Sequence, residues 1–174
     1  MKKTVIILSF VVLILLNLQL ASAQASLLNG LGGSLVSLQG NDLRPYDVAK
    51  LAKVDYVAVY FSAHWCPPCR SFTPKLVEYY NQAKPTHPNF EIIFISNDRN
   101  AGDMKNYMKE TGMKWPAVIY DKARGGTAFS QYAQRGIPNL VFIDKNGKVL
   151  SASYDGGRFV GPYKVLDDIQ KTLK

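Results

Sequence analysis

Two cysteines, Cys66 and Cys69, stand three positions apart where an apolar run gives way to a helical pattern, and no other feature constrains the chain as much. They are its only cysteines. The run before them, Tyr56-Val57-Ala58-Val59-Tyr60-Phe61, is aromatic and β-branched and predicts a buried strand. After them, Leu76, Val77 and Tyr80 continue a helical pattern. A spacing of three sets the side chains one helical turn apart, within reach of a disulfide. Pro67 suits the first helical position, where a missing N–H costs nothing, and it biases Cys66 out of helical geometry. Cys66 is therefore expected to cap the helix, with its sulfur among unpaired N–H groups at the positive end of the dipole. Both features favour thiolate over thiol. Cys69, a turn further in, is expected to be the more buried, resolving thiol.

The longer stretch Tyr60-Phe61-Ser62-Ala63-His64-Trp65-Cys66-Pro67-Pro68-Cys69-Arg70 resembles the active site of the thioredoxin superfamily, and of its tryparedoxin and nucleoredoxin branch in particular. The landmarks Phe94-Ile95-Ser96-Asn97-Asp98-Arg99, Trp115-Pro116-Ala117-Val118 and Gly136-Ile137-Pro138-Asn139-Leu140 follow in that branch's order. A lone C-x-x-C is a weak signal; this ordered set, covering roughly residues 54–150, is a strong one. The resemblance implies the thioredoxin fold, an α/β architecture with a central mixed sheet flanked by helices on both faces. It also implies that Trp65 shields the dithiol and contacts the partner. Ile137-Pro138 is matched to a cis-proline loop facing the dithiol, where the Ile137 backbone can pair with an extended substrate. Trp65, Pro67, Pro68, Ile137 and Pro138 are thus the expected substrate-binding surface, and Cys66 and Cys69 the expected catalytic pair.

Two positions depart from the pattern. Thioredoxins carry a buried carboxylate six residues before the nucleophile, and here that position is Tyr60. Asn139 stands where close relatives have Thr, with little consequence expected. Asp98 is expected to be a solvated turn residue, His64 a surface residue flanking the motif, and Arg70 a solvent-facing one that adds positive potential. His87 carries no signal.

The chain has 174 residues, 47% of them hydrophobic, which suits a single domain. Part of the apolar content is not fold. Met1-Lys2-Lys3 is a basic start, Val5 to Leu16 is nearly all apolar, and Ala21-Ser22-Ala23 is an A-x-A pattern. These features read as a signal peptide over 1–23, then a flexible lead-in over 24–33 and a thioredoxin-like domain over 34–174. An exported protein, periplasmic or secreted, is the expectation, with membrane contact only through that segment if it is uncleaved. The net charge is +8, and +6 without Lys2 and Lys3. Its basic residues are scattered and form no run interleaved with aromatics, so a nucleic-acid groove is not expected.

Taken in order, the pattern predicts a short strand at Ser34–Leu38 and a helix at Tyr46–Lys53, with an N-cap candidate in the stretch Asn41–Pro45. A buried strand at 54–61 leads into the dithiol helix, which runs to about Gln82 and should be kinked at Pro74. A strand over Phe90–Ser96, a helix over Asp103–Thr111 and a short strand at Trp115–Tyr120 follow. Then come a short helix at Ala128–Gln134, a core strand at Leu140–Ile143 with its returning partner at Lys148–Tyr154, and a closing helix at Pro162–Leu173.

The dithiol and the resemblance together lead to the expectation of an exported thiol–disulfide oxidoreductase, and the resemblance implies that it reduces protein or peptide disulfides. It would take electrons from an upstream thiol donor and need no bound cofactor, because the dithiol is the redox centre. Zinc would want four ligands, and His64 and His87 are not spaced as a second pair. The peroxidatic Thr-x-x-Cys pattern is absent. Two rival readings remain: a disulfide oxidase or isomerase, and a non-catalytic peptide-binding module. The expected state is a monomer.

Overall fold

A computed structural model describes Leu31 and residues 33–174. The leader and most of the lead-in expected from the sequence lie outside these residues. The strands β1 (Leu35–Gln39), β2 (Asp42–Pro45), β3 (Tyr56–Ser62), β4 (Phe90–Ser96), β5 (Ala117–Val118), β6 (Asn139–Asp144) and β7 (Val149–Ala152) form one sheet in the order β2-β1-β5-β4-β3-β6-β7. β4 is the middle strand, and β3 lies next to it, parallel to β4 and antiparallel to β6. The helices are α1 (Pro67–Ala83), α2 (Ala101–Thr111), α3 (Tyr120–Gly125) and α4 (Pro162–Thr172).

β3, β4 and β6 are apolar on both faces because both faces are covered. Tyr60 and Phe94 point to one core with Phe72 and Leu76 of α1, Tyr107 of α2 and Val165 and Ile169 of α4. Phe61 and Ile95, one residue on, point to the other core with Phe129, Tyr132 and Val141. In α1 the apolar residues Phe72, Leu76, Tyr80 and Ala83 share the buried face. Pro74 lies inside this helix, which continues past it to Ala83. Asn100 caps α2 by accepting the Asp103 N–H at 2.8 Å, and Gly112 ends it in the left-handed conformation at φ 72°.

Several elements differ from expectation. Asp42 begins no helix: Asp42–Pro45 is β2, a hairpin partner for β1. Helix-cap chemistry passes to Asp47, whose carboxylate accepts the Ala49 N–H at 3.0 Å and opens a 3₁₀ turn over Val48–Lys53. The expected strand at 115–120 shrinks to Ala117–Val118 because Tyr120 already starts α3. The expected helix at 128–134 is a single 3₁₀ turn, Ser130–Tyr132. Gly156 and Gly157, both at positive φ, form the turn of a small hairpin between β8 (Tyr154–Asp155) and β9 (Arg158–Phe159). That hairpin lies against the loop before β6: a Cβ added to Gly136 would collide with the Tyr154 hydroxyl.

Candidate active site

The dithiol sits where β3 ends and α1 begins. Cys66 is the N-cap of α1, extended at φ −89° and ψ 110°, and Pro67 and Pro68 occupy the first helical positions. The pair is joined as a disulfide with Cα atoms 5.2 Å apart. The Cys69 N–H donates to Cys66 Sγ at 3.3 Å, one of the unpaired donors of a helix start. The Ile137 carbonyl oxygen lies 3.7 Å from Cys66 Sγ. In the disulfide that sulfur carries no proton, so this is a contact; in the reduced thiol it is a hydrogen-bond acceptor.

The Ile137–Pro138 bond is cis, as the family resemblance implies. Ile137 packs against the cluster of Ala63, Cys66 and Cys69, so the loop before β6 faces the dithiol. Trp65 is 51% exposed and Pro67 and Pro68 are also exposed, forming a rim around Cys66. Pro138 itself is buried. All seven residues singled out from the sequence therefore meet in one place. The burial contrast expected between the cysteines is slight: Cys66 is 3% exposed and Cys69 0%.

The loop before the dithiol is clamped to the loop after β4. Asn97 N–H donates to the Ser62 carbonyl at 2.8 Å, and the Trp65 indole N–H donates to the Asn97 carbonyl at 3.0 Å. The His64 N–H donates to Asp98 Oδ1 at 2.7 Å, while Ser96 Oγ donates to Asp98 Oδ2 at 2.8 Å. Asp98 is thus not the solvated turn residue expected; it is 2% exposed, because its carboxylate closes this clamp. Burial pushes its carboxyl above the usual carboxylate range, against the opposing pull of Ser96 and the His64 N–H. His64 is not a free surface histidine either. Its Nε2 lies 2.9 Å from Glu110 Oε2, and its ring stacks on Tyr107.

Beneath Cys69 lies a set of buried hydroxyls. Thr73 Oγ1 is 2.9 Å from the Cys69 carbonyl, 2.7 Å from the Tyr60 hydroxyl and 2.5 Å from the Tyr107 hydroxyl, and Ser62 Oγ is 3.1 Å from Tyr107. Burial raises the Tyr60 phenol far above its ordinary value, so it stays neutral and offers no charged base. Thr73 and Tyr107 were not singled out for chemistry, and Asp98 was considered for proton transfer only by its proximity in the pattern. The one signal for Thr73 is its i+4 spacing from Cys69, which allows a side chain to bond back to the preceding turn.

A model of the thioredoxin-like family matches residues 54–149, which take in β3 through β6 and every residue of the site. The chain belongs to the thioredoxin-like family. Within it, the chain is tryparedoxin- and nucleoredoxin-like. It is similar to human nucleoredoxin, 50% identical over 114 residues, a match covering 65% of this chain and 24% of that one. Thioredoxin from Wuchereria bancrofti superposes with a TM-score of 0.60 at 33% identity, covering 80% of this chain and 94% of that one. Tryparedoxin I from Leishmania major gives 0.56 at 31% identity, covering 72% and 84%. The chain spans about a quarter of the length of the nucleoredoxins it matches. Thioredoxin-like redox chemistry, thiol–disulfide exchange in general, comes with this membership.

The comparisons correct one expectation. Export to a periplasm or to the outside was expected from a basic start, an apolar run and an A-x-A pattern within residues 1–23, whereas the nucleoredoxins matched are intracellular proteins. Among the described residues, no helix is long and apolar enough to cross a membrane.

Proposed function

We infer that the chain reduces protein and peptide disulfides through a cycle of the Cys66–Cys69 pair. The observation that carries this reading is the placement of Cys66 Sγ: at the start of α1, on the Cys69 N–H, with the Ile137 carbonyl 3.7 Å away. In the reduced protein, the Cys66 thiolate would attack one sulfur of a substrate disulfide and displace the other as a thiolate, which takes a proton from solvent. Cys69, deprotonated, would then attack Cys66 Sγ in the mixed disulfide. The second substrate thiol leaves, and the disulfide seen here forms. Two electrons pass from the pair to the substrate, and an upstream dithiol donor must return them.

Trp65, Pro67 and Pro68 would seat the substrate, with Ile137 offering backbone contact beside the cis bond to Pro138. Tyr60 offers no charged base to Cys69, so in this reading water receives that proton. The dithiol serves as the redox centre without a bound cofactor.

The test is insulin reduction with a dithiol donor. Wild type should turn over and Cys66→Ser should lose activity to the uncatalysed level. Cys69→Ser should accumulate a mixed disulfide on Cys66, read as a mass increase lost on treatment with dithiothreitol. Turnover persisting in Cys66→Ser would overturn the assignment.

A further inference from the structure

Beside the dithiol lies a groove of about 410 Å³ to which the exchange steps above assign no role. That volume is in the range of small-ligand sites. Phe61 and Ile95 line it from the ends of β3 and β4, Asn97 lines it from the following loop, and Arg124 from α3 is the charged residue among its described lining residues.

Two contacts join this groove to the reacting sulfurs. The Asn97 carbonyl holds the indole of Trp65, the residue before Cys66. Ile137 packs both on the cluster containing Phe61 and Ile95 and on Cys66 and Cys69. A substrate with its sulfur at Cys66 therefore has its neighbouring atoms close to the groove.

Arg124 is exposed and stands over the Tyr120 ring, 5.5 Å from its centroid, donating one N–H to the Tyr120 hydroxyl at 2.8 Å. Tyr120 in turn donates to the Asp98 carbonyl at 2.9 Å, so the arginine is positioned from the same loop that clamps Trp65. The ion pairs among the described residues leave Arg124 without a carboxylate partner. A planar guanidinium with free N–H donors matches the two oxygens of a carboxylate or a phosphate, and a peptide disulfide carries the carboxylate.

We propose that this groove is a subsite for the carboxylate of a small peptide disulfide, with Arg124 as the residue that selects for it. The inference rests on the disulfide-reductase reading and specifies which disulfides that activity prefers. The carboxylate sits on the half of the substrate that stays bonded to Cys66 after the first thiol leaves. It departs when the Cys69 thiolate releases that half as the second thiol. Two substrate thiols form for each dithiol oxidised, with their protons supplied by water.

The experiment compares oxidised glutathione with its fully esterified form, which keeps the disulfide and removes the carboxylate charges. Wild type should favour the acid by roughly tenfold in kcat/KM, through KM, as a charge-assisted contact predicts. The preference should fall as ionic strength rises. In Arg124→Gln the ratio of acid to ester should approach one, and in Arg124→Lys it should be intermediate. A wild-type ratio near one, or a ratio undiminished in Arg124→Gln, overturns the proposal. The wild-type ratio and its salt dependence decide the matter even if the variant does not fold. Reduction of insulin but of neither small disulfide overturns the subsite alone, whereas no turnover on any of the three overturns the reductase reading as well.

Discussion

Asp98 is a carboxylate in a run of small polar residues, Ser96-Asn97-Asp98-Arg99-Asn100, and yet it is buried, accepting hydrogen bonds from His64 N–H and Ser96 Oγ. Its carboxyl titrates above the ordinary value because burial opposes the charge. A raised folded pKa means that the folded state holds the proton more tightly than the unfolded chain does. The stability linked to this group is therefore fully present below the unfolded value of 3.8 and is lost as pH rises through the folded value. Asn at this position keeps an acceptor for His64 N–H and can donate to Ser96 Oγ, while carrying no charge to desolvate. Asp98→Asn should gain stability relative to wild type between pH 3 and pH 7, read as the difference in urea midpoints at the two pH values. A constant difference would show that the charge of Asp98 carries no such cost.

The buried hydroxyls tie three elements together, and counting their protons fixes their direction. Thr73 of α1 has one O–H and donates it to the Cys69 carbonyl, so Tyr60 of β3 and Tyr107 of α2 both donate to Thr73 Oγ1. Ser62 then donates to Tyr107. Thr73→Val keeps the shape and removes the acceptor of both phenols; Tyr107 keeps Ser62 as a partner while Tyr60 loses its own, which should cost about 2 kcal/mol in a denaturation experiment. Tyr60→Phe leaves Thr73 with Tyr107 and the Cys69 carbonyl and should cost only about 1 kcal/mol. The long elements β3, β4, α1 and α4 are legible in sequence because each carries its own hydrophobic period or buried run. β2 and the β8–β9 hairpin are too short to carry one and exist through their strand partners. The site divides in the same way. The dithiol, its cap and Pro138 are written in local spacing and resemblance, whereas Asp98, Thr73 and Arg124 gain their settings only from elements that fold over or beside them.

Across the whole molecule, the parallel strands β3 and β4 present their carboxyl ends to the dithiol and hold a second polar cluster toward their amino ends. There Glu91, opposite Val57 in the sheet, is 3% exposed and is bound by Lys84 at 3.1 Å and the Tyr80 hydroxyl at 2.7 Å. Lys84 also donates to the Phe90 carbonyl at 2.6 Å, locking the end of α1 to the start of β4. Lys84→Met would leave a buried carboxylate with fewer donors. Because Lys84 is partly exposed and Glu91 keeps Tyr80 and the Ile92 N–H, the cost should be about 2 kcal/mol. Disulfide turnover should stay at the wild-type rate below the transition, and a parallel loss of turnover would show that the two ends are coupled. The same separation of ends divides the two tryptophans. Trp115 is fully buried and packs edge-on against Tyr80, while the indole of Trp65 stands half in solvent next to Cys66. A disulfide quenches the emission of an adjacent indole, so the chain carries its own optical gauge of oxidation. Trp65 should brighten as the pair is reduced, against the background emission of the buried Trp115.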